Sequence, residues 1–209
     1  MKTLQASEEV IEVADFGAGS KVFKSNSREI AKIAKVASIK KKHALLLMRM
    51  IPYFNLKNCL ELGTSLGVAA YCIAKSDDNV SLTTIEGCPN TAKVAQKQLM
   101  SFGIKNVTVQ VGEFEQILPS LVTNQKYDIV LFDGNHTKEA TRNYFDTLLT
   151  SKHNDSIFIF DDIHWSKGMT EVWEEIKMHP EVTVTIDLFK WGIVFFRKEQ
   201  RKEHFTIRF

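Results

Sequence analysis

The sequence predicts an α/β protein, a doubly wound and mostly parallel sheet behind an N-terminal helical cap. Three observations carry this. From Asn58 onward the hydrophobic period switches between that of a strand and that of a helix, five times in succession. The connections are short, as parallel strands joined by crossover helices require. Near the C-terminus two strand-like runs, 182–189 and 191–197, have only Lys190 between them. No crossover helix fits there, so that pair must be antiparallel.

Residues 1–55 form an expected arm and helical cap. From Ser27 the spacing puts Ile30, Ile33, Ala34 and Ala37 on one helical face, with Ser27 as N-cap. A second helix is expected from Lys40 to Tyr53, around Ala44, Leu45, Leu47, Met48 and Ile51. Ahead of both, 10–20 imitates a strand and a glycine loop, Asp15 to Ser20. No second strand with a terminal acid follows at the right distance, so the βαβ test fails. The stretch reads as a loop, either a lid near the active site or a plain turn.

Residues 56–209 form the expected main domain. Strands are predicted at 59–63, 81–87, 107–112, 127–134 and 156–162, with helices near 66–75, 90–102, 114–122, 137–150 and 167–178. The closing hairpin follows. The tail is charged and then alternates through Phe205, Ile207 and Phe209, which fits an extra edge strand or a solvated terminus.

Composition narrows the function classes. In 209 residues, 44% hydrophobic and 25% charged content supplies a core without disulfide or metal staples. Cys59, Cys72 and Cys88 are odd in number and too widely spaced for a metal knuckle or redox pair. They read as free thiols of a reducing compartment. The first residues lack an apolar signal core, and no apolar run approaches the roughly 18 residues of a membrane helix. A soluble cytoplasmic protein is therefore expected. A net charge of +2 argues for neither nucleic acid nor membrane. Lys40–Lys42 and the basic tail lack interleaved aromatics or are diluted by acids, so a solvated face is the expectation.

In an open α/β sheet, ligands bind beyond the carboxyl ends of the strands. The first such end reads Glu61, Gly63, Thr64, Ser65, Gly67: an acid, then a glycine turn that opens a helix. The glycines allow a tight turn, and its exposed N–H groups favour a carboxylate or phosphate. Glu86 ends the next strand, where an acid can take both hydroxyls of a ribose. Gly112, Glu113 and Phe114 end the third, placed to flank an adenine. Asp133 and His136 follow the fourth strand; Asp161, Asp162 and His164 follow the fifth. The three aspartates suit a hard divalent cation. The histidines suit a transition metal or acid–base work. Against each stands the alternative of helix capping.

Taken together, residues 58–197 resemble class I S-adenosylmethionine-dependent methyltransferases, a Rossmann-like family with a seven-stranded sheet whose last strand is antiparallel. Within it the chain is similar to the catechol and caffeoyl-CoA type O-methyltransferases. The resemblance implies that Glu61 and the turn through Gly63, Thr64, Ser65 and Gly67 hold the methionine end, Glu86 the ribose, and Gly112, Glu113 and Phe114 the adenine, with Asp133 also on the cofactor side. It further implies a divalent metal such as Mg²⁺ at Asp133, Asp161 and Asp162. Catalysis would fall to Asp133, His136 and His164. Ser65 stands where many members have a second glycine. The expected reaction is methyl transfer to a small-molecule acceptor, at oxygen, with homodimerisation left open. The alternatives are a metal-dependent oxygenase on the same fold and a non-catalytic dimeric binding module.

Overall fold

The computed structural model describes residues 1–209 except Asp15, Ala18, Ser20, Lys21 and Val22. Asp15, Ala18 and Ser20 of the expected loop thus lie outside the described residues. The chain divides into two compact units, Met1–Phe114 and Glu115–Phe209.

The first unit begins with α1 (Lys2–Gln5), β1 (Val10–Glu12), β2 (Ser27–Glu29), α2 (Ile30–Val36) and α3 (Lys41–Tyr53). Ser27 is not the helix cap. It pairs with Glu12 in an antiparallel β1–β2 ribbon, and α2 starts three residues later behind Glu29. The strand-like look of residues 10–12 is genuine, but its partner is β2. Leu4, Ile30, Ile33 and Ala34 pack into one buried cluster with Leu66, which ties the cap to the glycine turn.

Then come β3 (Asn58–Leu62), α4 (Val68–Ala74), β4 (Ser81–Glu86), α5 (Pro89–Ser101) and β5 (Val107–Val111). The three strands are parallel, with β4 between β3 and β5. β3 is buried at every position after Asn58, as a parallel strand covered on both faces must be.

The second unit holds α6 (Phe114–Asn124, its first residue belonging to the first unit), β6 (Ile129–Phe132), α7 (Lys138–Leu149), β7 (Ile157–Asp161), α8 (Lys167–Met178), β8 (Val184–Asp187), β9 (Trp191–Phe195) and β10 (Glu203–Thr206). β6 and β7 are parallel. β9 runs antiparallel to both β7 and β8, the hairpin the short connection demands. The tail does add an edge strand, β10, which pairs parallel with β8; of the alternating residues Phe205 lies in it, and Ile207 and Phe209 follow it. Thr137 and Ser166 cap α7 and α8 by accepting from Ala140 N and Met169 N.

The core of this unit is aromatic. Phe132 stacks on Phe160 at 4.2 Å, and Phe145 and Phe158 meet edge-on. Trp173 of α8 is fully buried and lies on β9 where Gly192 leaves room. A Cβ at Gly192 would stand 2.6 Å from its ring. No helix among the described residues is long and apolar enough to cross a membrane. The three cysteines are free.

Gly192→Ala should therefore force Trp173 off the sheet. Overpacking of this kind costs about 1–3 kcal/mol. Thermal unfolding should shift down by on the order of 3 °C per kcal/mol. An unchanged melting temperature would disprove this account of the strand–helix contact.

Candidate functional site

In the first unit the site residues gather where β3 and β4 end. Gly63 leaves the strand at φ +102°, and its N–H and that of Thr64 both donate to the Ile85 carbonyl, at 3.0 and 3.1 Å. Ser65 follows in the left-handed region, at φ +47°. Gly67, at φ +77°, is glycine for two reasons: the conformation, and the approach of Ala95, whose Cβ an added side chain would meet at 3.2 Å.

Glu86 fixes this turn. One carboxylate oxygen accepts from Ser65 N at 2.8 Å, the other from Cys88 N at 2.9 Å. The side chain thus joins the loops after β3 and β4. Gly112 N donates to the Glu86 carbonyl at 3.0 Å, which brings the third strand end alongside. Glu113 and Phe114 follow directly.

Glu61 lies beneath, with no exposed surface. Thr84 Oγ1 donates to its Oε2 at 2.5 Å, and Thr84 and Thr64 share a hydroxyl contact of 2.6 Å. Oε1 has no partner among the described residues. Burial pushes the Glu61 carboxyl up to about 8; the Thr84 hydrogen bond works against this and the charge of Glu86 adds to it. A buried carboxyl with an oxygen unused is half of an interaction, and it fits a cationic ligand group in the glycine turn.

The arm contributes residues the sequence did not single out. Asn90 Nδ2 donates to the Glu12 carbonyl at 2.8 Å, and Ala14 N approaches Cys88 Sγ at 3.4 Å. The Phe16 ring lies where a Cβ on Gly87 would be, 2.7 Å away. The arm therefore packs on the loop that carries Glu86.

In the second unit, β6 and β7 end in acids. After Asp133 the chain makes a strained turn: Asn135 and His136 both have positive φ, +66° and +42°, and His136 N returns to the Gly134 carbonyl at 2.9 Å. The Asn135 side chain holds the turn, donating to Tyr144 Oη and accepting from Thr137 Oγ1, both at 3.1 Å. Tyr144 in turn donates to Glu115. The result is to bring His136 back over Asp133, Nε2 to Oδ1 3.7 Å. One ligand atom from each of Asp133, His136 and Asp161 lies within 4.8 Å of the other two.

Asp162 goes elsewhere. Lys190, at the tip of the β8–β9 hairpin, places its Nζ 2.9 Å from Asp162 Oδ1 and 3.0 Å from Asp161 Oδ2. Asp161 is buried, and its Oδ1 has no partner among the described residues. Lys190 is the functional residue the sequence reading missed. Its signal was present: in an antiparallel pair β7–β9, the residue before Trp191 must stand beside the end of β7, since Asp161 faces Trp191. The two aspartates raise the Lys190 pKa against its partial burial.

His164 is also set apart. Its Nε2 is 2.8 Å from Asp187 Oδ2 and its Nδ1 3.3 Å from Thr170 Oγ1. Asp187 also takes the Trp173 indole N–H at 3.3 Å and Phe189 N at 2.8 Å. His164 is thereby a strut of the hairpin turn rather than a member of the Asp133 cluster.

Residues 60–163 match the sequence model of a family described as Methyltransferase domain. No curated protein matches the chain. Solved structures do. A Staphylococcus aureus protein provisionally named a caffeoyl-CoA O-methyltransferase is 19% identical, with a TM-score of 0.72 over 81% of this chain and 90% of its own. The Streptomyces achromogenes O-methyltransferase TomG of tomaymycin synthesis, solved with S-adenosylmethionine, is 20% identical, with a TM-score of 0.68 over 77% of this chain and 82% of that one. A Bacillus cereus O-methyltransferase solved with S-adenosylhomocysteine is 17% identical, with a TM-score of 0.68 over 77% and 83%. At these identities the likeness establishes the fold.

The raised Glu61 carboxyl has a signed consequence for the ligand-free protein. The folded state keeps a proton that the unfolded chain loses near pH 4.5, so this group lowers stability progressively between about pH 4.5 and 8. Glu61→Gln should flatten that decline, with its largest gain over wild type above pH 8. Denaturant unfolding at pH 5 and pH 8.5 measures it. Parallel pH dependences for the two proteins would refute the assignment.

Proposed function

We propose that this chain, which has the fold of class I S-adenosylmethionine-dependent methyltransferases and carries a methyltransferase domain over residues 60–163, transfers the methyl group of S-adenosylmethionine to an oxygen of a small-molecule acceptor. The observation that carries the reading is the first unit's polar turn: Glu86 locked across the loops after β3 and β4, above a Glu61 oxygen left without a partner.

S-adenosylmethionine supplies an activated sulfonium methyl. The chain's task is then to hold it, to hold the acceptor, and to favour loss of the acceptor's proton. Gly63, Thr64, Ser65 and Gly67 would shape the bed for the methionine end, with Glu61 facing its ammonium. Glu86 would take the ribose hydroxyls. Gly112, Glu113 and Phe114 would flank the adenine. In the second unit Asp133 and His136 form the polar pair suited to the acceptor. His164 acts as a positioning residue through Asp187.

The residues present also fit a divalent cation, because Asp161 Oδ1 is buried without a partner beside Asp133. Asp133 and Asp161 would hold it, and it would lower the pKa of an acceptor hydroxyl. The oxygenase alternative put iron at His136, Asp133 and Asp161 or Asp162, and two histidines with one carboxylate would favour it; the cluster has one histidine and two carboxylates.

The reading extends to organisation. Residues 1–55 are taken as an arm and cap that choose the acceptor, and 56–209 as the S-adenosylmethionine-binding domain. Free cysteines support a cytoplasmic location.

Calorimetric titration with S-adenosylmethionine and S-adenosylhomocysteine, with and without Mg²⁺, tests the proposal. Wild type should bind, and Glu86→Ala should bind at least tenfold more weakly, a loss of about 1.4 kcal/mol or more. No binding under any condition would sink the reading. A second outcome follows from Glu61. A cation placed against a carboxyl that titrates at about 8 should drive off its proton. At pH 7 binding should therefore release up to one proton, seen as a dependence of the enthalpy on the buffer's ionisation heat. That release should vanish in Glu61→Gln.

A further inference from the structure

The polar cluster of the second unit differs from the one its sequence suggests. Read from the chain, the cation ligands are Asp133, Asp161 and Asp162, an all-oxygen set suited to Mg²⁺. In the structure Asp162 is turned away. It sits in the left-handed region at φ +55°, and its Oδ1 is 2.9 Å from Lys190 Nζ. Lys190 is held in turn by the hairpin turn, where Phe189 at φ +73° donates its N–H to Asp187 and Lys190 N returns to the Leu188 carbonyl at 2.9 Å.

His136 joins Asp133 and Asp161 in the cluster instead. Its Nε2 is 3.7 Å from Asp133 Oδ1, too far for a hydrogen bond. That separation suits two donors of one metal, which at bond lengths of roughly 2.0–2.2 Å lie about 3–4 Å apart. The third donor, Asp161, presents a buried oxygen with no other partner. The turn that carries His136 has two positive-φ non-glycine residues, His136 and Asn135, and the Asn135 side chain braces it through Tyr144 and Thr137.

We propose that Asp133, His136 and Asp161 form a metal site that takes a first-row transition dication of the Mn²⁺–Zn²⁺ range in preference to Mg²⁺, with Lys190 replacing the metal as the partner of Asp162. One imidazole and two carboxylates favour those ions, whereas Mg²⁺ demands oxygen ligands. Charge agrees. Asp161 and Asp162 share the single Lys190 ammonium, which leaves that pair a formal negative charge for a cation to offset. Lys190 therefore does not compete for the metal; it occupies one oxygen of Asp161 and orients the other.

The inference deepens the methyltransferase reading at its acceptor end, but its test is independent of activity. The full-length chain, stripped of metal, is titrated with Co²⁺ and followed by its visible absorption, with Mg²⁺ as competitor. Wild type should bind one Co²⁺ that a large excess of Mg²⁺ does not displace. His136→Ala should weaken Co²⁺ more than about tenfold, the loss expected when part of a metal's support is removed. Asp161→Asn should abolish binding, whereas Asp162→Asn should change it by less than about threefold. Circular dichroism verifies the fold of each variant. Because the turn at His136 is strained, pulsed electron paramagnetic resonance of Mn²⁺ bound to wild type provides a second readout, the coupling of one imidazole nitrogen. Absence of Co²⁺ binding, absence of that coupling, or equal losses in Asp162→Asn and His136→Ala would each overturn the site. S-adenosylhomocysteine titrated into the metal-free protein separates the two readings: binding there with no metal affinity removes this inference and leaves the methyltransferase proposal standing.

Discussion

An aspartate pair at the mouth of an all-apolar strand needs a counter-charge. β7 is buried along its whole length, and it ends in Asp161 and Asp162. A carboxylate carried out of water without a partner would take up a proton or unfold its surroundings. Here the partner comes from the neighbouring hairpin. Lys190 meets both acids, and everything near the tip serves that contact: Phe189 takes a conformation rare for a side chain, Asp187 receives its N–H, and His164 and Trp173 brace Asp187. The antiparallel placement of β9 is thus more than topology. It delivers a cation to the end of β7 that a parallel neighbour, leaving by a long crossover, could not deliver with so short a tether.

The first unit meets the same problem in two other ways. Glu86 is satisfied by backbone N–H groups from two loops, at the cost of fixing both loops. Glu61 is satisfied only in part and responds by holding its proton. Glu61 and Asp161 each keep one buried oxygen with no partner among the described residues.

Much of this was legible in the sequence because it is local. The alternation of periods located all ten strands and helices from β3 to α8 to within a few residues, and Glu86, Asp133 and Asp161 stand at or just past the ends of β4, β6 and β7. The glycine turn was legible because Gly63 and Gly67 answer to backbone conformation, which the residue type itself reports. What was not legible depends on partners distant in sequence. Ser27 looks like a helix cap until Glu12 pairs with it as a strand. Asp162 looks like a ligand until Lys190, 28 residues on, reaches it. His164 looks like a base until Asp187, 23 residues on, takes it. In each case residue type and spacing were right for the chemistry, and a tertiary contact chose among the chemistries they allowed.

Lys190 illustrates how such a choice can be made from register alone. Once 182–189 and 191–197 are a hairpin and the second strand pairs antiparallel with β7, opposing Asp161 to Trp191 leaves Lys190 beside the aspartates. In that register Ile193 faces Ile159 and Phe195 faces Ile157. The register of β9 therefore decides an electrostatic question at the tip. Through Lys190 it also settles that Asp162 is held by an ammonium, while Asp133, His136 and Asp161 lie together.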